Sequence, residues 1–145
     1  MAPKIEAVDP KRSAQMRLIL ARNTKPELIV RRALHAHGLR YRLHARELPG
    51  KPDIVFRRKR VAIFVHGCFW HQHPDPNCKR ARMPKSRREF WEPKLTGNRS
   101  RDEIAKGELE AAGWRVIEIW ECQLDQSHLT ELVSVVHAAR CSRFT

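Results

Sequence analysis

The chain has 145 residues, 41% hydrophobic and 31% charged, with 29 Lys+Arg against 16 Asp+Glu and a formal net charge of +13. That length suits one domain around one core, and the apolar content argues against disorder. No apolar run approaches the ~20 residues of a membrane span, no apolar leader opens the chain, and the few cysteines do not make a secreted disulfide scaffold. The expectation is a compact, basic, cytosolic domain whose partner is a polyanion, nucleic acid before any other.

In chain order, residues 1–12 carry two prolines and no periodicity and read as a flexible arm ahead of a single domain over 13–145. Ser13 can cap a short helix over 14–22. Thr24-Lys-Pro-Glu27 has capping-box spacing, with Pro26 tolerated in the first turn, and opens a helix that ends at His37-Gly38. Leu39, Tyr41 and Leu43 alternate with Arg40, Arg42 and His44 as in a half-buried strand, up to the Pro49-Gly50 turn. Two apolar strands follow, 52–57 and 60–66, joined by the cationic turn Arg57-Arg-Lys-Arg60. From Gly67 to Asn98 no period persists, so a long loop is expected, and loops of that length are functional or braced. A helix over about 100–112 ends at Gly113, a strand covers Arg115–Trp120, and a last helix runs over about 128–140 with Leu129, Leu132, Val133, Val136 and Ala139 on one face. This order predicts an α/β fold with a mixed central sheet flanked by helices.

The charge is uneven. Residues 11–46 hold ten Lys/Arg against one acid and residues 79–101 hold nine against two, whereas 102–145 holds four against eight and lacks the basic excess. Any one of these side chains can be plain solvated surface, but two such clusters suit a phosphate backbone, where counterion release drives binding.

Cys68, His71, His73 and Cys78 crowd the irregular loop, and Cys122 follows the last strand. Zn²⁺ takes four N/S ligands, and Cys-x4-His-x4-Cys with a distant thiolate can supply them and brace the loop, the alternative being buried free thiols. Spacing leaves open which of His71 and His73 joins a metal, and Cys141 reads as a core thiol. Asp53, at the start of a strand, can hold a hard cation such as Mg²⁺ at the sheet rim, as in nucleases. His66, His71 and Asp102 strengthen that reading, because histidine accepts a proton near neutral pH and a carboxylate on its other nitrogen fixes the tautomer. Glu27 fits either this group or its capping box. Phe69-Trp70 and Phe90-Trp91 are core filling or, alternatively, a wedge that unstacks base pairs.

Taken together, Leu48-Pro-Gly-Lys-Pro-Asp-Ile-Val55, Phe64-Val-His-Gly-Cys-Phe-Trp-His71, Glu89-Phe-Trp91, Arg101-Asp102 and Gly113-Trp-Arg-Val116 through Trp120-Glu-Cys122 closely resemble the very-short-patch-repair (Vsr) DNA mismatch endonucleases. Arg12-Ser13, Met16-Arg17 and Gly38-Leu39 extend the likeness to about residues 12–123. The resemblance implies a fold related to restriction endonucleases, with a structural Zn²⁺ in the loop and a Mg²⁺-dependent nick 5′ of the thymine in a T:G mismatch. It matches Asp53 and the Val65 backbone carbonyl to the Mg²⁺ site, His71 to the base that activates water, Asp102 to its partner, and His66 and Glu27 to supporting catalytic positions. It matches Cys68, His73 and Cys122 to zinc ligands, with Cys78 as the fourth, and Phe69, Trp70 and Trp91 to aromatics that enter the DNA. Pro74-Asp-Pro-Asn77 sets Cys78 farther from His73 than is common in that family. The implied enzyme is a cytoplasmic, nucleoid-associated bacterial monomer, with mismatched duplex as substrate and mismatch-repair proteins as further candidate partners. A restriction-type enzyme cutting matched DNA and a non-catalytic zinc-containing DNA-binding module are the alternatives.

Overall fold

The computed structural model describes residues 24–140; the expected arm over 1–12, the helix over 14–22 and Cys141 lie outside the described residues. Helix α1 (Lys25–Ala36) starts where the capping signal put it: Thr24 is the N-cap and its Oγ1 accepts the Glu27 N–H at 3.3 Å. It closes in a Schellman turn, with Gly38 at φ +73°, the Gly38 N–H on the His35 carbonyl and the Leu39 N–H on the Leu34 carbonyl.

Four strands form one sheet in the order β1-β2-β3-β4: β1 (Arg42–Leu43), β2 (Ile54–Phe56), β3 (Val61–His66) and β4 (Arg115–Trp120). The first two pairings are antiparallel and β3–β4 is parallel, so the sheet is mixed as expected. Strand β1 is shorter than the alternation over 39–44 suggested. His44 takes a left-handed backbone (φ +50°), which ends regular strand geometry, although its N–H still reaches the Asp53 carbonyl at 3.0 Å.

Helix α2 (Arg88–Ala111) departs most from expectation, because it begins well before residue 100 and takes in Phe90, Trp91 and Pro93. The irregular segment is therefore 67–87, with one 3-10 turn at Lys79–Ala81, and Asp102 sits in mid-helix rather than at a helix start. No side chain caps α2, and Arg87 before it is left-handed (φ +55°), so the sequence carries no start signal there. Helix α3 (Gln126–Ala138) buries Leu132, Val133 and Val136.

Both faces of the sheet are covered. Ile54, Phe56, Val61, Ile63 and Ile119 pack with Val30 and Leu34 of α1 and Leu132, Val133 and Val136 of α3. On the opposite face, Val55 and Ala62 pack with Leu109 of α2 and with Ala45 and Trp114. Strand alternation thus sends odd-numbered β3 residues to one layer and even-numbered ones to the other. Phe64 and His66 share the α2 side with Glu118 and Trp120, their register partners on β4. No helix among the described residues is long and apolar enough to cross a membrane.

Candidate active site and metal centre

The ends of β2 and β3 deliver the first carboxylate. Asp53 precedes β2, its N–H bonds the Ile63 carbonyl at 3.1 Å, and its Oδ2 accepts the Val65 N–H at 2.8 Å. Burial pushes the Asp53 carboxyl up to about 7, against the lowering effect of the Val65 N–H, and neighbouring Glu27 pushes it further. Glu27, 2% exposed, accepts Arg31 Nη1 at 3.0 Å and lies 3.2 Å from His44 Nε2. The capping reading of Glu27 therefore holds for its N–H, while its carboxylate faces the site. Donor atoms of Glu27, His44 and Asp53 all lie within 4.8 Å of one another, and the two carboxylates are the oxygen donors a hard cation selects.

The turn after β3 separates the two histidines that spacing left ambiguous. Gln72 is left-handed (φ +47°), the His71 N–H returns to the Gly67 carbonyl and the His73 N–H to the Cys68 carbonyl. His71 points into the cleft, where its Nδ1 meets Asp102 Oδ2 at 2.5 Å. His66, 3% exposed, stacks 4.2 Å from His71, centroid to centroid, and its Nε2 meets Glu118 Oε2 at 3.0 Å. That hydrogen bond from His66, reinforced by Lys106, holds the Glu118 carboxyl down at about 2 in spite of partial burial.

His73 faces the other way, among the cysteines. Its Nδ1 lies 3.8 Å from Cys68 Sγ and 3.4 Å from Cys122 Sγ, and Cys78 Sγ lies 4.0 Å from Cys122 Sγ. A tetrahedron with Zn–S and Zn–N bonds of about 2.3 and 2.1 Å has edges of about 3.6–3.8 Å, so the donor set has the size and chemistry of a zinc site. Cys78 belongs to the cluster despite its distance along the chain. Burial pushes the Cys68 thiol up to about 12 and holds His73 below the usual imidazole range. His73 also stacks on Trp120 at 4.3 Å, and Trp120 lies 4.8 Å from His66, so one indole separates the cysteine cluster from the cleft.

A cleft of about 560 Å³ gathers Glu27, Asp53, Val65, His66, His71 and Asp102, with Phe69 and Trp70 on its wall. Trp70 is 48% and Phe90 43% exposed, which removes core filling as their explanation. Phe69, Trp70 and Trp91 meet edge to face at 5.2–5.8 Å, and Lys94 Nζ lies within 6 Å of the Trp70, Phe90 and Trp91 rings. His44, Glu118 and Lys106 went unnoticed in the sequence. The first two read as polar positions of alternating strands, and only the strand pairing turns them toward other site residues.

A family model described as DNA mismatch endonuclease Vsr matches residues 7–80. The type II nicking enzyme V.XorIIP of Xanthomonas oryzae is 49% identical over 109 residues, spanning 75% of this chain and 78% of the relative. The DNA mismatch endonuclease Vsr of Escherichia coli K12 is 42% identical over 113 residues, spanning 78% and 70%. The type II nicking enzyme V.NaeI of Lentzea aerocolonigenes is 39% identical over 131 residues, spanning 87% and 76%.

Proposed function

Because the chain belongs to the Vsr family of DNA mismatch endonucleases, we propose that it nicks duplex DNA 5′ of the thymine in a T:G mismatch, the product of 5-methylcytosine deamination, and so opens very-short-patch repair. The observation that carries this reading is the convergence of Asp53, His66 and the His71–Asp102 pair in one cleft beside an exposed tryptophan. The fold is then of the restriction-endonuclease kind, and the enzyme works as a monomer in the bacterial cytoplasm, on nucleoid DNA, with mismatch-repair proteins as candidate partners.

Asp102 holds the His71 ring by Nδ1 and leaves Nε2 to take a proton from the attacking water. Water attacks the phosphorus, and the ester bond to the leaving sugar oxygen breaks. Asp53 and the Val65 carbonyl are the donors for Mg²⁺, which when bound supplies charge neutralisation at the phosphate and a more acidic water. Glu27 and His66 support this centre. Phe69, Trp70 and Trp91 form the wedge, whose unstacking cost of a few kcal/mol per step is smallest where pairing is defective. Cys68, His73, Cys78 and Cys122 hold a structural Zn²⁺ that fixes the 67–87 loop, and through it His71, on the core.

The decisive experiment incubates the protein and Mg²⁺ with a T:G duplex and a matched C:G control. A nick confined to the thymine strand of the first is expected. No cleavage of either duplex overturns the reading in favour of a binding module, and double-strand breaks in fully paired plasmid overturn it in favour of a restriction-type enzyme. Asp53→Ala and His71→Ala should each lower nicking at least about 10³-fold while duplex binding persists.

A further inference from the structure

The two imidazoles of the cleft are held by carboxylates through opposite ring nitrogens. His71 meets Asp102 through Nδ1, whereas His66 meets Glu118 through Nε2. Parallel pairing of β3 with β4 sets Phe64 against Glu118 and His66 against Trp120, so all four side chains share the sheet face toward α2. From α2, Lys106 Nζ approaches Glu118 Oε1 at 3.2 Å, which leaves Oε2 for the ring. The carboxylate is thus fixed at both oxygens, one on an ammonium and one on an imidazole.

A carboxylate only accepts hydrogen bonds, and a neutral imidazole has one N–H and one bare nitrogen. The nitrogen that faces a carboxylate therefore carries the hydrogen. We infer that Glu118 is a positioning residue that fixes His66 with its hydrogen on Nε2, so that His66 offers a bare Nδ1 to the cleft while Asp102 makes His71 offer a bare Nε2. His66 then accepts a hydrogen bond from water in the cleft and orients it, and His71 takes the proton. Without Glu118 the ring is free to turn or to change tautomer, and the acceptor becomes a donor. This assignment rests on the proposed nicking reaction for its consequence, and on the geometry alone for the tautomer.

The test reads both parts separately. Long-range ¹H–¹⁵N NMR of the zinc-loaded, DNA-free protein at pH 8 should show His66 protonated on Nε2. In Glu118→Ile the two tautomers should mix, and kcat for T:G nicking should fall about tenfold with KM and duplex affinity unchanged. Glu118→Gln, which keeps an acceptor oxygen, should restore most of the rate. A wild-type His66 carrying its hydrogen on Nδ1, or an isoleucine variant with an unaltered tautomer, would overturn the assignment. The wild-type spectrum decides the tautomer even if the isoleucine variant does not fold. A wild-type protein that nicks no mismatched duplex overturns the proposed reaction instead.

Discussion

Asp53 shows how far the setting of one side chain can move its chemistry. Its carboxyl keeps its proton up to about 7 in the folded protein, against 3.8 ordinarily, chiefly through burial. A raised carboxyl favours the fold fully below about 3.8, and that contribution is lost as pH rises toward 7, because the unfolded chain gives up its proton first. Urea midpoints of the magnesium-free protein should therefore fall between pH 4 and 7, and Asp53→Asn should flatten that slope. At pH 8 millimolar Mg²⁺ should raise the wild-type midpoint and leave the variant unmoved. Gly50 is constrained by space as well as by charge-free geometry: at φ +71° a Cβ would stand 2.6 Å from Ala105 Cβ and 3.2 Å from the Phe64 ring. Gly50→Ala should cost about 2–4 kcal/mol from backbone strain and overpacking together, read as a lower denaturation midpoint. Asp53 and His66 stand out in the sequence as polar residues at the ends of apolar strands, and His71 as a histidine close after one; Asp102 reads as a candidate at a helix start, although it lies in mid-helix. His44 and Glu118 do not stand out, since a polar residue in an alternating strand looks the same whether it meets solvent or a partner from another strand.

Among the elements, the segment 67–87 depends most on something other than its own backbone. It has a single 3-10 turn, and Gln72 Nε2 pins it by donating to the carbonyls of Phe69 and Ala81. Cys122 lies beyond β4, so a zinc ion there would tie this segment to the sheet. Cys122→Ser should release zinc and cost about 3 kcal/mol, which for a chain of this size lowers Tm by about 6–12 °C in a thermal scan. The strands and helices α1 and α3 were readable because their apolar periods run uninterrupted and Thr24, Gly38 and Gly113 mark ends. Helix α2 was half hidden: Pro93, Gly97 and Asn98 imitate a loop, and α2 holds its course through them because Leu95, Ala105 and Leu109 are buried.

At the scale of the molecule, the chain carries a net charge of +13, and among the described residues its cations gather at more than one place. Lys94 and Arg87 lie over the exposed aromatic rings, while Arg40, Arg42, Arg58 and Lys59 line a separate cleft of about 670 Å³ at the hairpin end of the sheet. Charge of this kind binds any duplex, so raising salt from 50 to 200 mM should weaken matched and mismatched DNA alike, by about 10³-fold if some six phosphates are neutralised, with most of the discrimination intact in a filter-binding or anisotropy titration. The parallel pairing of β3 and β4 has one more effect, on the order in which the chain acquires structure. His66 and Trp120 stand in register only after the whole of 67–87 and α2 has been looped out between them, and loop closure of that length must precede the contacts that repay it. The hairpin carrying Asp53 can form early from local contacts, but the His66–Glu118 and Cys122 contacts arrive with the last strand. A nascent chain still lacking β4 already contains Asp53, His66, His71 and Asp102 and can pair β2 with β3, yet it has neither the Glu118 carboxylate on His66 nor the Cys122 thiol beside His73, so the complete site is acquired late in synthesis.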